Sequence, residues 1–268
     1  MSATINVCLA GATGWIGRPL SAAIWKTGGL ALVGATSRSH RGQRLGDVIG
    51  DPDIDLLISE SVADALNTPA DVLVDYTHPH AVKSNVLTAL NKGVHAVIGT
   101  SGLSDEDYDE ISQAALKNNT GVIAAGNFAI TAVLLERFAC EAAKYLSHWE
   151  IIDYASADKA DAPSGTTREI AYRLSQVRRP DVVRPIEETV GSKESRGVTV
   201  NGTQIHSLRL PSYTIAVEAI FGEADERLTI RHDAGTGAGP YLQGTLLAIR
   251  KVRHCVGLVR GLDNILAG

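Results

Sequence analysis

Ten residues, Asp158 to Thr167 (DKADAPSGTT), place a lysine, two carboxylates, a proline turn and a Ser-Gly-Thr run directly before a helix-forming stretch. Proline fixes one backbone angle and glycine permits unusual ones, so Ala-Pro-Ser-Gly reads as a tight loop. A loop of this kind that opens a helix leaves N–H groups pointing outward at the positive end of the helix dipole. That arrangement suits a carboxylate or a phosphate. Ser164, Gly165 and Thr166 are the candidate anion site. Lys159 adds a full positive charge and a transferable proton, which makes it the candidate catalytic residue. The alternative reading of the same residues is a capped helix preceded by a solvated lysine.

A second chemical signature stands near the start of the chain. Thr4 to Ala10 (TINVCLA) is a short apolar strand, GATGWIG follows, and Arg18 to Thr27 read as a helix. Strand, glycine loop and helix together make a dinucleotide fingerprint. Gly11 serves the tight turn, Gly14 the close approach of a pyrophosphate, and Gly17 the packing of helix on strand. The residue that ends the second strand (LALVGAT) selects between cofactors: a carboxylate favours NAD, a cation the 2′-phosphate of NADP. Here Ser37, Arg38, Ser39, His40 and Arg41 stand together with no carboxylate. A guanidinium binds a phosphate bidentately, so NADPH is expected to bind better than NADH.

The elements that carry these residues alternate between strand and helix as far as residue 127. Apolar strands are expected at Asp71–Asp75, Val94–Ile98 and Gly121–Ala125, with helices at His80–Lys92 and after Ser104. This alternation implies a parallel sheet with right-handed crossovers. Its strands end in GATG, YTHP, GTSG and GNF, at the edge where open α/β sheets bind ligands. A long helix is expected from Ile130 to Leu146 and a strand from Glu150 to Tyr154. Beyond residue 190, alternating strands with Gly and Asn-Gly turns point to an antiparallel sheet. Tyr241 to Arg253 is again helical, and Asn264 to Leu266 is expected to pair back onto the first sheet. The expected fold class is α/β, with a doubly wound parallel sheet and a second α+β domain. Residues 1–127 and 241–268 are assigned to dinucleotide binding and 128–240 to substrate binding and assembly.

Composition narrows the classes. Of 268 residues, 44% are hydrophobic and 21% charged, and the formal net charge is −5 with the basic residues dispersed, which argues against a nucleic-acid surface. No apolar run reaches the roughly 20 residues of a membrane span, and no signal-peptide pattern opens the chain. Cys8, Cys140 and Cys255 read as reduced core thiols of a cytoplasmic protein, and neither they nor the eight histidines show metal-ligand spacing.

Taken in order, GATGWIG, DYTHP, GTSG, GNF, DKADAPSGT, IHSLR and ERLTIRH resemble the 4-hydroxy-tetrahydrodipicolinate reductase (dihydrodipicolinate reductase) family of lysine biosynthesis. The resemblance covers nearly the whole chain, with K-x-DAPSGT its most specific piece. It implies a Rossmann domain completed by the C-terminal segment, an inserted substrate domain, and a homotetramer built through the substrate-domain sheets. It also implies hydride transfer from NADH or NADPH to a cyclic imine dicarboxylate. Carried over, the cofactor residues are Gly11, Ala12, Thr13, Gly14, Trp15, Ile16, Arg38, Gly99, Thr100, Ser101, Ala125, Gly126, Asn127 and Phe128, with Ser37, Tyr76 and Thr77 as further candidates at the strand ends. The carried-over substrate residues are Lys159, Gly165 and Thr166, and Ser156, Ser164 and His206 are further substrate candidates.

The resemblance has two departures. The family usually carries two consecutive histidines before the lysine, and here those positions are Ala155 and Ser156. It usually carries Gly-x-His after the IHSxR strand, where this chain has Thr214-Ile215-Ala216-Val217. The substrate side is therefore expected to be more apolar and less cationic, and the imine less acidic. Two other readings are a short-chain dehydrogenase and a cofactor-binding sensor without turnover. The first lacks its Tyr-x-x-x-Lys; the second has no use for a lysine beside an anion site.

Overall fold

Five short segments of the N-terminal half are apolar along almost their whole length, as strands covered on both faces must be. In the computed structural model, which describes residues 3–266, they are β1 (Ile5–Ala10), β2 (Leu30–Thr36), β3 (Val72–Asp75), β4 (His95–Ile98) and β5 (Gly121–Ala124). The helices between them are α1 (Gly17–Lys26), the short α2 (Leu45–Ile49) and α3 (Val62–Ala65), α4 (Pro79–Asn91) and α5 (Asp105–Lys117). Next come α6 (Ile130–Ala142), β6 (His148–Ala155), α7 (Gly165–Val177), β7 (Val198–Val200), β8 (Thr203–Arg209), β9 (Ile215–Glu223) and β10 (Glu226–Ala234). The chain closes with α8 (Gly239–Lys251), β11 (Gly257–Arg260) and α9 (Asp263–Leu266).

The chain divides into two compact units, one running through Ile130 and resuming at Ala238, the other Thr131–Gly237. In the first, all pairings are parallel and the order is β11-β5-β4-β3-β1-β2. Val82, Val86 and Leu90 of α4 and Ile111 and Ala115 of α5 pack on Ala96, Ile98, Val122 and Ala124. Strand β1 lies between β2 and β3, so successive crossovers leave it in opposite directions. This is the switch point, where a crevice opens at the C-terminal ends of the strands.

The strand that completes this sheet is Gly257–Arg260, paired with β5. The expectation of Asn264–Leu266 is corrected: those residues form the last turn, α9. Glycine at 257, with φ 83°, lets the chain enter the edge after α8, and Leu258 and Val259 supply the strand character.

The second unit has five strands in the order β10-β9-β6-β8-β7. Leu135 and Ala139 of α6 and Ile170, Ala171 and Leu174 of α7 cover Trp149, Ile151, Ile205, Val217, Ala219 and Phe221. The sheet is mixed rather than antiparallel, because β8 runs parallel to β6. The helix α7 is the crossover that a parallel pair requires. The turn signals downstream report the β9–β10 hairpin and the β7–β8 pair, which are antiparallel. The opposite face of this sheet carries Glu150, Ile152, His206, Glu218 and Ile220. Among the thiols, Cys8 is buried, whereas Cys140, packed against the second unit's core, and Cys255 are partly exposed.

Candidate active site

At the end of β1 the chain turns so tightly that the side-chain space vanishes. Gly11 has φ 82°, and a Cβ there would overlap the Tyr76 carbonyl oxygen. A Cβ at Gly17 would overlap the Gly11 carbonyl oxygen. The Gly11 and Ala12 amides donate to the Thr36 carbonyl at 3.1 Å, and the Gly14 amide to that of Gly11 at 3.0 Å. The amides of Thr13, Trp15 and Ile16 have no acceptor among the described residues. They stand at the start of α1, where backbone donors and the helix dipole favour a pyrophosphate. Trp15 is 60% exposed and meets Tyr241 edge-on, with ring centroids 5.8 Å apart.

Ser37 follows β2 with its hydroxyl 2.7 Å from that of Thr13. Arg38 beside it is exposed, with no carboxylate partner among the described residues. Its neighbours Arg41 and Arg44 pair with Glu60 at 2.6 Å and with Asp55 at 3.0 Å. Arg38 is thus the guanidinium left available at the strand end, and these residues fit a dinucleotide phosphate.

The ends of β3 and β4 are tied together by Asp75, which is fully buried. Its carboxylate accepts from the Thr77 hydroxyl at 2.7 Å, the Thr100 hydroxyl at 2.7 Å and the Asn85 amide at 2.8 Å. The Thr77 amide donates to the Thr100 hydroxyl at 2.8 Å. Tyr76 turns its hydroxyl to Thr245 at 2.7 Å, and burial pushes its phenol well above the ordinary range. The Tyr76 ring passes so close to Gly99 that a Cβ there would overlap it. Ser101, Ala125 and Gly126 follow the strand ends. The Asn127 side chain accepts from the Ala129 amide at 2.8 Å to start α6, and Phe128 is buried edge-on to Tyr76. Asp75 carries no signal in the sequence beyond its place at the end of an apolar run.

In the second unit, β6 delivers Ala155 and Ser156 to the loop. Ala155 is buried, and the Ser156 hydroxyl donates to Asp158. Lys159 Nζ lies 2.6 Å from an Asp161 carboxylate oxygen. Ala162–Pro163 is cis, and Ser164 caps α7, its hydroxyl 2.9 Å from that of Thr167. The amide of Ser164 donates to Asp153 at 2.9 Å, so it is not free for a ligand, which corrects the three-amide anion site. Gly165 and Thr166 retain the two amides without an acceptor among the described residues.

The structure places His206 against Glu150 rather than against the Ser164–Thr166 loop. Its Nε2 lies 2.7 Å from Glu150, which in turn pairs with Arg196. Side chains alternate along a strand, so Ser207 and Arg209 point to the Asp153 side and His206 to the other.

These two loops can be set against known proteins. Residues 5–128 match the family model for the dihydrodipicolinate reductase N-terminus, and residues 131–266 the model for its C-terminus. A 4-hydroxy-tetrahydrodipicolinate reductase of Moorella thermoacetica is 40% identical, with 99% of both chains covered. One from Thermosynechococcus vestitus is 38% identical over 99% of this chain and 98% of its own. The chain belongs to the dihydrodipicolinate reductase family. A dipicolinate-bound dihydrodipicolinate reductase from Paenisporosarcina sp. TG-14 superposes with a TM-score of 0.87 at 30% identity, covering 98% of this chain and 99% of its own. Membership of the dihydrodipicolinate reductase family makes this chain an NAD(P)H-dependent oxidoreductase that reduces a cyclic imine. A sensor without turnover and a short-chain dehydrogenase are thereby set aside. None of its described helices is long and apolar enough to cross a membrane.

Proposed function

We propose that the protein reduces 4-hydroxy-tetrahydrodipicolinate, or a related and less acidic cyclic imine, with NADPH in preference to NADH, in the cytoplasm. The observation that carries the substrate reading is the pair of unengaged amides at Gly165 and Thr166, six and seven residues after Lys159. Two amides at a helix N-terminus hold one carboxylate oxygen pair, and Lys159 adds charge to the same ligand. NADPH, when bound, supplies the hydride. Gly11 to Ile16 would hold its pyrophosphate, Ser37 and Arg38 its 2′-phosphate, and the ends of β3, β4 and β5 its nicotinamide half.

A reduced imine nitrogen needs a proton. Ala155 has none to give, and Ser156 is turned to Asp158. Lys159 is the remaining donor in the loop, and Asp161 keeps its ammonium in place until a substrate anion competes for it. With fewer cations on the substrate side, an imine of lower negative charge is accepted as well. The three free cysteines support a reducing compartment. Assembly into a homotetramer through the second-unit sheet is supported by the face that bears Ile152 and Ile220, which no helix of that unit's core covers.

The deciding assay follows NADPH oxidation with 4-hydroxy-tetrahydrodipicolinate and with cyclic imines bearing one carboxylate or none. The reading requires the highest kcat/KM among carboxylated imines. Preference for an uncarboxylated imine would overturn the anion site, and equal Kd values for the two cofactors would overturn the NADPH preference.

A further inference from the structure

The loop that carries Ser164 to Thr166 does not hold its own shape through helix capping alone. Its first amide is taken by a carboxylate from the strand below. Asp153 has no exposed surface, and it sits on β6 directly opposite Ser207 in the β6–β8 register. One of its oxygens accepts from the Ser164 amide at 2.9 Å, from Arg209 at 2.8 Å and from the Ser207 hydroxyl at 3.2 Å. The other accepts from the Thr167 hydroxyl at 3.0 Å. The same nitrogen of Arg209 also donates to the Asp161 carbonyl at 2.6 Å. The residue pair therefore clamps the loop at both sides of the cis proline: at Asp161, next to the partner of Lys159, and at Ser164, next to the free amides.

We propose that Asp153 and Arg209 form a positioning pair. They fix the Gly165 and Thr166 amides, and the Asp161 end of the loop, in a carboxylate-binding arrangement before substrate arrives.

Three features separate this from a generic buried ion pair. Every hydrogen bond of the Asp153 carboxylate other than those from β8 goes to the loop or to the first turn of α7. Arg209 leaves its Nε buried and without a partner among the described residues while it spends a donor on the Asp161 carbonyl. A pair arranged for stability alone would satisfy that donor. Burial alone would raise the Asp153 carboxyl, yet Arg209 and the Ser164 amide hold it below the usual range, so the loop is clamped by a full charge at neutral pH. Backbone preorganisation of this kind lowers the ordering cost of binding and shows as substrate affinity, with little effect on a chemical step performed by other groups.

The inference rests on the anion-site reading above, and the experiment separates the two. Asp153→Asn keeps the shape and an acceptor but removes the charge. Amide hydrogen exchange at Ser164 to Thr167 is measured without ligand, and KM and kcat with the active imine. Exchange is expected to quicken at least about tenfold and KM to rise at least about tenfold, with kcat within about threefold and NADPH affinity unchanged. Asp153→Glu is expected to recover part of the lost affinity. Unchanged exchange and KM in a folded variant overturn the pair's role, whatever happens to the melting temperature. Faster exchange with unchanged KM upholds the clamp and overturns the carboxylate reading of the amides. If Asp153→Asn does not fold, Arg209→Lys serves instead. It keeps the buried charge compensated but cannot span Asp153 and the Asp161 carbonyl, so the same KM rise is expected, and its absence overturns the proposal.

Discussion

In the proposed reading, Arg38 and Lys159 are the two cations on which cofactor and substrate recognition turn. Replacement of Arg38 by alanine removes a charge-assisted phosphate contact of about 1.5–3 kcal/mol, or about ten- to a hundredfold in affinity. NADPH titrations of Arg38→Ala are therefore expected to show that loss while NADH binding stays nearly constant. Lys159→Met keeps the bulk and removes both charge and proton. Turnover is expected to fall at least about a hundredfold with NADPH affinity unchanged, and survival of turnover would make Lys159 a bystander. His232 belongs to the same scale. It is buried against the Thr131 hydroxyl at 3.0 Å, and burial lowers its pKa from the ordinary value. An imidazole kept neutral in the fold binds protons better in the unfolded chain. Its stabilising contribution is thus complete above the unfolded value near 6.5 and is lost as pH falls toward the lowered folded value. Denaturant midpoints measured from pH 8 to 5 should decline, and His232→Asn should flatten that decline.

Among the elements, the ends of β3 and β4 depend on a contact that leaves no room for a methyl group. Gly99→Ala would drive its Cβ into the Tyr76 ring, push the phenol from Thr245 and disturb the loops proposed to hold the nicotinamide half. Overpacking of this kind typically costs about 1–3 kcal/mol, so both the melting temperature and NADPH affinity are expected to drop. Much at this scale was legible in the chain. The glycine spacing of residues 11–17 announced the strand, turn and helix, and Pro163-Ser164-Gly165 announced the start of α7. The groups that hold those loops were not legible. Asp75, Asp153 and Arg209 act mainly through partners 10 to 56 residues away, and no local period or spacing marks a residue whose partners lie on other elements. For the same reason the sequence does not say which face His206 takes, since one step along β8 reverses direction.

For the molecule as a whole, the second-unit sheet sets the expectation for assembly. Light scattering is expected to give the mass of four chains of 28.3 kDa, about 113 kDa. Ile220→Lys, which puts a charge on the face of that sheet opposite α6 and α7, is expected to yield smaller species while NADPH binding by the first unit persists. The parallel order of the first sheet was readable from its alternating pattern. The mixed order of the second was not, because a crossover through α7 and a hairpin produce the same run of short strands and turns.

The strand that closes the first sheet is made last. Ala124 ends β5, and its edge partner ends at Arg260, 136 residues later. At about 5–20 residues per second on a ribosome, that edge waits for about 7–27 s with its backbone donors and acceptors unpaired. Throughout that interval the nascent chain presents Gly121-Val122-Ile123-Ala124, all four buried in the finished protein, as a template for any other strand. The Thr131–Gly237 unit has been synthesised in full by then and is free to fold first. Chaperone demand during synthesis should therefore depend on the last dozen residues far more than their small share of the finished core suggests, and a chain stopped before Gly257 should be captured by holdases even though both candidate sites are already encoded in it.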